Sequence, residues 1–124
     1  MELIIGGAYQ GKLTWAKERF LLSDGDIFDL SGGFPEAGFR CCTHLEALTR
    51  RAAEEGMSAE ELYRRLAPLF RDSVIIAREI GCGIVPMDAG ERIHRELHGA
   101  LLQLIARDSQ SVTRIFCGIP EALK

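Results

Sequence analysis

An α/β fold is what this 124-residue chain predicts, with about four parallel strands and helices on both faces of the sheet. Three observations carry that prediction. Short apolar runs stop at glycine or at an acidic residue, as buried strands do. Apolar residues at helical spacing lie between those runs, giving the order β-α-β-α-α-β-α-β, and parallel strands require such crossovers. Hydrophobic residues make up 47%, enough for a real core, while the length leaves room for one domain spanning 1–124.

The elements follow in order. Glu2-Leu3-Ile4-Ile5 is a first strand stopped by Gly6-Gly7. Leu13, Ala16 and Phe20 recur at helical spacing between Lys12 and Leu22, and Ser23-Asp24-Gly25 ends that helix. A second strand is expected over Asp26–Leu30, then a glycine-rich loop from Ser31 to Gly38. Cys41, Leu45, Leu48 and Ala52 form one stripe of the next helix, with Gly56 as its stop. Ser58-Ala59-Glu60-Glu61 reads as a capping box opening a helix whose stripe is Leu62, Leu66 and Leu69 or Phe70. Ser73–Ala77, short and β-branched, is the clearest strand. Asp88, with Glu91 three residues on, caps a long helix expected to bury Ile93, Leu97, Ala100, Leu101, Leu104 and Ile105. Ser111–Cys117 makes a last strand, followed by a tail.

Charge excludes some functions. Fifteen Lys+Arg against 18 Asp+Glu leave a net charge of −3, which argues against a nucleic-acid-binding surface. No apolar run reaches the roughly 18 residues of a membrane span. The chain enters its first strand without the basic region of a signal peptide, so a cytoplasmic location is the expectation. Cys41, Cys42, Cys82 and Cys117 contain no C-x-x-C and suggest neither a disulfide nor a zinc framework. His94 and His98, four apart, share a helix face that is expected to be solvated.

The chemistry lies in Gly6-Gly7-Ala8-Tyr9-Gln10-Gly11-Lys12-Leu13-Thr14, which reads G-x-x-x-x-G-K after a strand and before a helix. Glycines let backbone N–H groups converge on phosphate, the helix N-terminus adds positive potential, and Lys12 adds a full charge. The fold is therefore expected to be of the P-loop type, and residues 6–14 to bind a nucleotide. The Ser or Thr that would ligate Mg²⁺ after the lysine is replaced by Leu13, which falls on the apolar stripe with Ala16 and Phe20. Thr14 is about 100° further round the helix and does not simply substitute. A carboxylate is wanted at the end of a neighbouring strand: Asp29 is the candidate metal ligand, and Glu79 the second acid.

Arg78-Glu79-Ile80-Gly81-Cys82-Gly83-Ile84-Val85-Pro86 resembles the N-E-V-G-x-G-I-V-P signature of the cobinamide kinase/cobinamide-phosphate guanylyltransferase family. Arg92, Arg95, Gly99 and Gln103 fall where that family has R, R, G and Q, and Cys117–Lys124 resembles its S-G-I-P-L-K-L-K ending. The resemblance covers roughly 2–16 and 73–124 and implies ATP or GTP with Mg²⁺ as cofactors. It implies a corrinoid substrate whose aminopropanol hydroxyl is phosphorylated, with Lys12 and Glu79 catalytic, and a homo-oligomer, a trimer. The family's H-R-x-R-R-P-type stretch, which carries the guanylylated histidine, has no counterpart here. His44, expected inside a helix without arginines nearby, is read as a partly exposed helix residue. Arg78 stands for the family's Asn before the glutamate, and Leu102 for its helix Asn. These departures point away from the guanylyltransferase step. They leave two readings: a cobinamide-kinase-like enzyme, or a non-catalytic relative serving as a regulatory or structural partner subunit.

Overall fold

The structure is a computed structural model that describes residues 1–80 and 88–124. The described elements are β1 (Glu2–Gly6), α1 (Lys12–Phe20), β2 (Ile27–Asp29), β3 (Cys41–Thr43), α2 (Leu45–Glu54), α3 (Ala59–Phe70), β4 (Val74–Arg78), α4 (Ala89–Asp108), β5 (Ser111–Phe116) and β6 (Ile119–Ala122). One sheet contains all the strands, in the order β2-β3-β4-β1-β5-β6. Every pairing is parallel except β5 with β6. The α/β prediction holds, with helices on both faces, but among the described residues the sheet has six strands rather than about four.

Both additions have a physical reason for escaping notice. Cys41, expected on a helical stripe, starts β3, and the helix begins only at Leu45. Three residues are too few to display a period, and Leu45, Leu48 and Ala52 keep their helical spacing whether or not Cys41 joins them. The expected tail is β6, a hairpin partner of β5. Phe116 pairs with Ile119, and the two residues between, Cys117 (φ 52°) and Gly118 (φ 75°), are both left-handed. Two-residue hairpins favour such turns because their twist matches that of the strands.

Alternation along the strands divides the core. Leu3, Ile75, Val112 and Cys42 face α2, α3 and α4, where Leu48, Leu62, Leu66, Phe70, Leu101 and Ile105 are buried. Ile4, Val74, Ile76, Cys41 and Ile115 face the other way, against Ala16 and the half-buried Trp15 and Phe20 of α1. Each fully buried Leu or Ile contributes roughly 1.5–3 kcal/mol through lost apolar exposure. The caps agree with the sequence. Ser58 accepts from the Glu61 N–H at 3.1 Å, Asp88 from the Gly90 N–H at 2.8 Å, and Gly56 takes a left-handed φ of 73° just past α2.

α4 differs on one face. His94 and His98 share a side as expected, but it is the buried side, at 3% and 1% exposure. Ile93, expected inside, is 54% exposed. The histidines are admitted because polar partners meet them. Thr49 Oγ1 lies 2.9 Å from both His94 Nε2 and His98 Nδ1, and His98 Nε2 lies 2.7 Å from the Arg78 carbonyl. Both rings donate through Nε2, His98 to the Arg78 carbonyl and His94 to the Glu46 carbonyl 3.0 Å away, while the Thr49 hydroxyl also reaches the Glu46 carbonyl at 3.1 Å. Enclosure in the core favours the neutral form of both imidazoles.

Burial, the largest cause for each, holds both histidine pKa values below the ordinary 6.5. Above about pH 6.5 both are neutral folded or unfolded, and stability is at its full value. As pH falls below 6.5 the unfolded chain takes protons that the folded chain refuses, so stability falls. The loss is about 1.4 kcal/mol per histidine per pH unit until the folded group titrates. Urea unfolding between pH 8 and 5 should show this decline, and His94→Gln/His98→Gln should flatten it. An unchanged slope in the double variant would contradict the buried-neutral assignment.

Candidate functional site

Strand order places the site. α1 leaves β1 onto one face of the sheet and α4 follows β4 onto the other, and β1 and β4 are neighbours. Crevices of this kind, at the carboxyl ends of diverging parallel strands, are where open α/β sheets bind ligands. A cleft of about 360 Å³ opens there, lined by Ala8–Thr14, Thr43, His44, Glu46, Ile76 and Arg78.

The loop after β1 forms one wall. Tyr9 stands fully exposed at its tip with a left-handed φ of 58°, and Gly11, at φ 88°, is the N-cap residue of α1. Left-handed residues alternating with ordinary ones turn successive N–H groups inward, the geometry of an anion nest. Lys12, first in α1, curls back so that Nζ donates to the Gly7 carbonyl at 2.6 Å, holding its ammonium inside the loop. Burial lowers the Lys12 pKa, as does Arg78, while Glu46 and Glu79 raise it. A second support comes from the hairpin that the sequence did not reveal. The Cys117 N–H donates to Gln10 Oε1 at 2.6 Å, and the Gly118 N–H donates to the Gln10 carbonyl at 2.8 Å.

Of the residues expected to bind nucleotide, Ala8, Tyr9, Gln10, Gly11, Lys12, Leu13 and Thr14 line the cleft, and Gly6 and Gly7 form its root. Leu13 corrects an expectation: it is 38% exposed at the cleft and not packed with Ala16, which is fully buried. Glu79 sits at the loop's base, its N–H donating to the Gly6 carbonyl at 3.0 Å and its carboxylate 3.8 Å from Arg114. Asp29 ends β2 beside the cleft without lining it. Its Oδ1 accepts from the Ser31 N–H at 2.9 Å and the Ser31 hydroxyl at 2.6 Å, and lies 3.0 Å from His44 Nδ1. Those Ser31 bonds, followed by the influence of His44, hold the Asp29 carboxyl below its usual pKa.

Sequence reasoning did not place four polar lining residues at the site, Thr43, His44, Glu46 and Arg78, nor the apolar Ile76. Arg78 brings a second cation to the cleft beside Lys12, where it was read only as a departure from a motif. Thr43 ends β3, and His44, expected as a partly exposed helix residue, follows it into the cleft because the strand is too short to show its period. His44 is not within a helix but precedes α2 in a left-handed conformation, φ 62° and ψ 40°. Of the Arg78–Pro86 signature, Gly81–Pro86 lies outside the described residues.

A parallel sheet with a glycine loop, a buried-stem lysine and a second cation at the switch between β1 and β4 defines a P-loop-type α/β protein. Residues 41–123 match the family model described as cobinamide kinase / cobinamide phosphate guanyltransferase, and the chain belongs to that family. Membership brings nucleotide binding and cobalamin biosynthesis at family level. The matched span begins after the loop, so the loop's assignment rests on its own geometry. No curated protein matches the chain. Among the described residues no helix is long and apolar enough to cross a membrane.

Proposed function

We propose that this protein binds ATP or GTP in the cleft and transfers the terminal phosphoryl group to the aminopropanol hydroxyl of a cobinamide-type corrinoid. The observation that carries this reading is that Lys12 and Arg78 line one cleft, of which the glycine loop forms a wall. Phosphoryl transfer is catalysed mainly by positioning and by charge opposite the phosphate oxygens, and these residues supply both. Mg²⁺, when bound, neutralises phosphate charge. It keeps most of its waters and needs only one or two protein carboxylates. Glu46 lines the cleft and Asp29 flanks it, so these are the candidate ligands, Asp29 through the oxygen that Ser31 and His44 leave open. Glu79 acts from the base of the loop, steadying the charge of Lys12. The arginine-rich histidine stretch that carries the guanylyl group in the resembled family has no counterpart in this sequence, and that step is not part of the proposal. A homo-oligomer, a trimer as in the family resemblance, is part of it, as is a location in the cytoplasm.

One observation favours the second reading, a non-catalytic partner subunit: Leu13 presents an alkyl group at the cleft where a metal-binding hydroxyl is expected. Calorimetric titration with ATP and GTP, with and without Mg²⁺, followed by labelled-phosphate transfer to cobinamide, separates the two. The enzyme reading expects Mg²⁺-dependent binding and label in the corrinoid. Leu13→Ser, at an exposed position that the core does not need, should then raise transfer at least severalfold. Binding indifferent to Mg²⁺ with no transfer selects the partner-subunit reading, and no nucleotide binding sinks both.

A further inference from the structure

His44 is set up for chemistry rather than for stability. A residue with a β-carbon in the left-handed region costs about 1–2 kcal/mol. An N-cap side chain can offset such a cost by accepting a helix N–H, but the His44 side chain makes no cap bond. Its imidazole turns instead to Asp29, with Nδ1 at 3.0 Å from Oδ1 and at 3.1 Å from Thr43 Oγ1. Both side chains of that pair are more than half exposed, at 55% and 56%. Even a fully charged pair at such exposure contributes only roughly 0–1 kcal/mol, and a neutral imidazole no more, so the contact does not outweigh the strain. Strain that stability does not explain gathers at functional sites.

The geometry also fixes the tautomer. Asp29 is held in place by two bonds from Ser31 and takes the Nδ1–H of His44. Nε2 is then left as the acceptor nitrogen, and it has no hydrogen-bond partner among the described residues. His44 lines the same cleft as Lys12 and Arg78. An imidazole beside a carboxylate, with its far nitrogen unengaged among the described residues and on the cleft that Lys12 and Arg78 also line, is the arrangement of a general base.

We propose that His44 is the catalytic base of phosphoryl transfer and Asp29 its positioning residue. The proposal rests on the kinase reading above and adds the group that activates the acceptor. His44 Nε2 takes the proton of the acceptor hydroxyl as that oxygen bonds to the γ-phosphorus of the nucleoside triphosphate. The bond from the γ-phosphorus to the β–γ bridging oxygen breaks, and its electron pair leaves on the nucleoside diphosphate. The imidazolium then returns its proton to solvent. His44 forms no bond to phosphorus.

The positive φ makes the test clean. Glycine adopts φ 62° without strain, so His44→Gly keeps the backbone and leaves a space that free imidazole can fill. Single-turnover transfer from γ-labelled ATP or GTP to cobinamide is measured for wild type, His44→Gly with and without imidazole, and Asp29→Asn. Nucleotide affinity is measured alongside. His44→Gly should bind nucleotide like wild type and transfer about 100-fold or more slowly, with imidazole restoring much of the rate. Asp29→Asn, which still accepts from Ser31, should show a smaller loss. His44→Asn, a residue at home in a left-handed cap, repeats the loss should the glycine variant fold poorly.

A wild-type rate in His44→Gly, or a loss that imidazole does not relieve, overturns the base role and leaves the kinase reading standing. Label held on the protein after alkaline denaturation would make His44 a phosphoryl carrier and also overturns it. Wild-type protein that binds nucleotide yet transfers nothing overturns the base role and keeps only the binding half of the kinase reading. No nucleotide binding overturns both.

Discussion

Lys12→Met should weaken nucleotide binding by roughly 10- to 100-fold, since a hydrogen bond to a charged group contributes about 1.5–3 kcal/mol. Methionine keeps most of the aliphatic stem and removes only the ammonium. That ammonium is partly desolvated, and among the described residues its one hydrogen bond is to the Gly7 carbonyl of its own loop. Losing that bond costs the fold roughly 1.5–3 kcal/mol, but removing a partly desolvated charge offsets part of it, so the net cost is about 1 kcal/mol and the melting temperature should stay within about 5 °C. Lys17 provides the comparison. It sits a turn and a half further along α1 and pairs with the exposed Asp24, away from the cleft. Lys17→Met should leave affinity unchanged. Calorimetric titration of the three proteins with ATP or GTP decides the matter, and equal affinity in Lys12→Met would remove the basis for placing phosphate at this loop.

Gly6→Ala should destabilise the protein by about 3 kcal/mol or more and lower its melting temperature by roughly 10 °C. A β-carbon at position 6 would come within 2.6 Å of the Ile115 carbonyl oxygen, which belongs to β5 and is locked in the sheet. It would also press on the Lys12 stem at 3.4 Å. Relief requires β1 and β5 to part at the end where the loop begins. Gly7 differs, because a β-carbon there meets only Gln10 Cγ at 3.7 Å, an ordinary contact. Gly7→Ala should therefore melt close to wild type. Thermal denaturation of the two variants separates a glycine demanded by strand packing from one free to serve the ligand, and equal melting temperatures would contradict that division.

That contrast shows how far the sequence can be read. The run from β1 through the glycines into α1 is legible because strand, turn and helix N-terminus follow within a dozen residues, and each obeys a local rule. Val74–Arg78 and the Ser58 and Asp88 caps are legible for the same reason. What is hidden depends on partners remote in sequence. Gly6 meets Ile115, and Gln10 meets Cys117 and Gly118. His44 meets Asp29 across two strands, and His94 and His98 meet Thr49. Histidines four apart predict a shared face but not which face, because imidazole is at home in water or in a core that offers it partners. β3 failed through brevity. Taking its residues for helix puts Thr43 and His44 on the wrong element, and the cleft wall opposite the glycine loop goes with them.

The hydrogen bonds from the Cys117–Gly118 turn to Gln10 also bear on the order in which the molecule is made. β1 leaves the ribosome well ahead of the other strands, yet it lies in the middle of the sheet, between β4 and β5. It must wait for residues 74–78 and 111–114 before it has neighbours, and the loop behind it waits for residues 117 and 118. Pairings so distant in sequence form late and slowly. The cleft is thus opened by residues 6–14 and closed by residues 117 and 118. A nascent chain stalled before residue 111 lacks the turn that holds Gln10 of the loop.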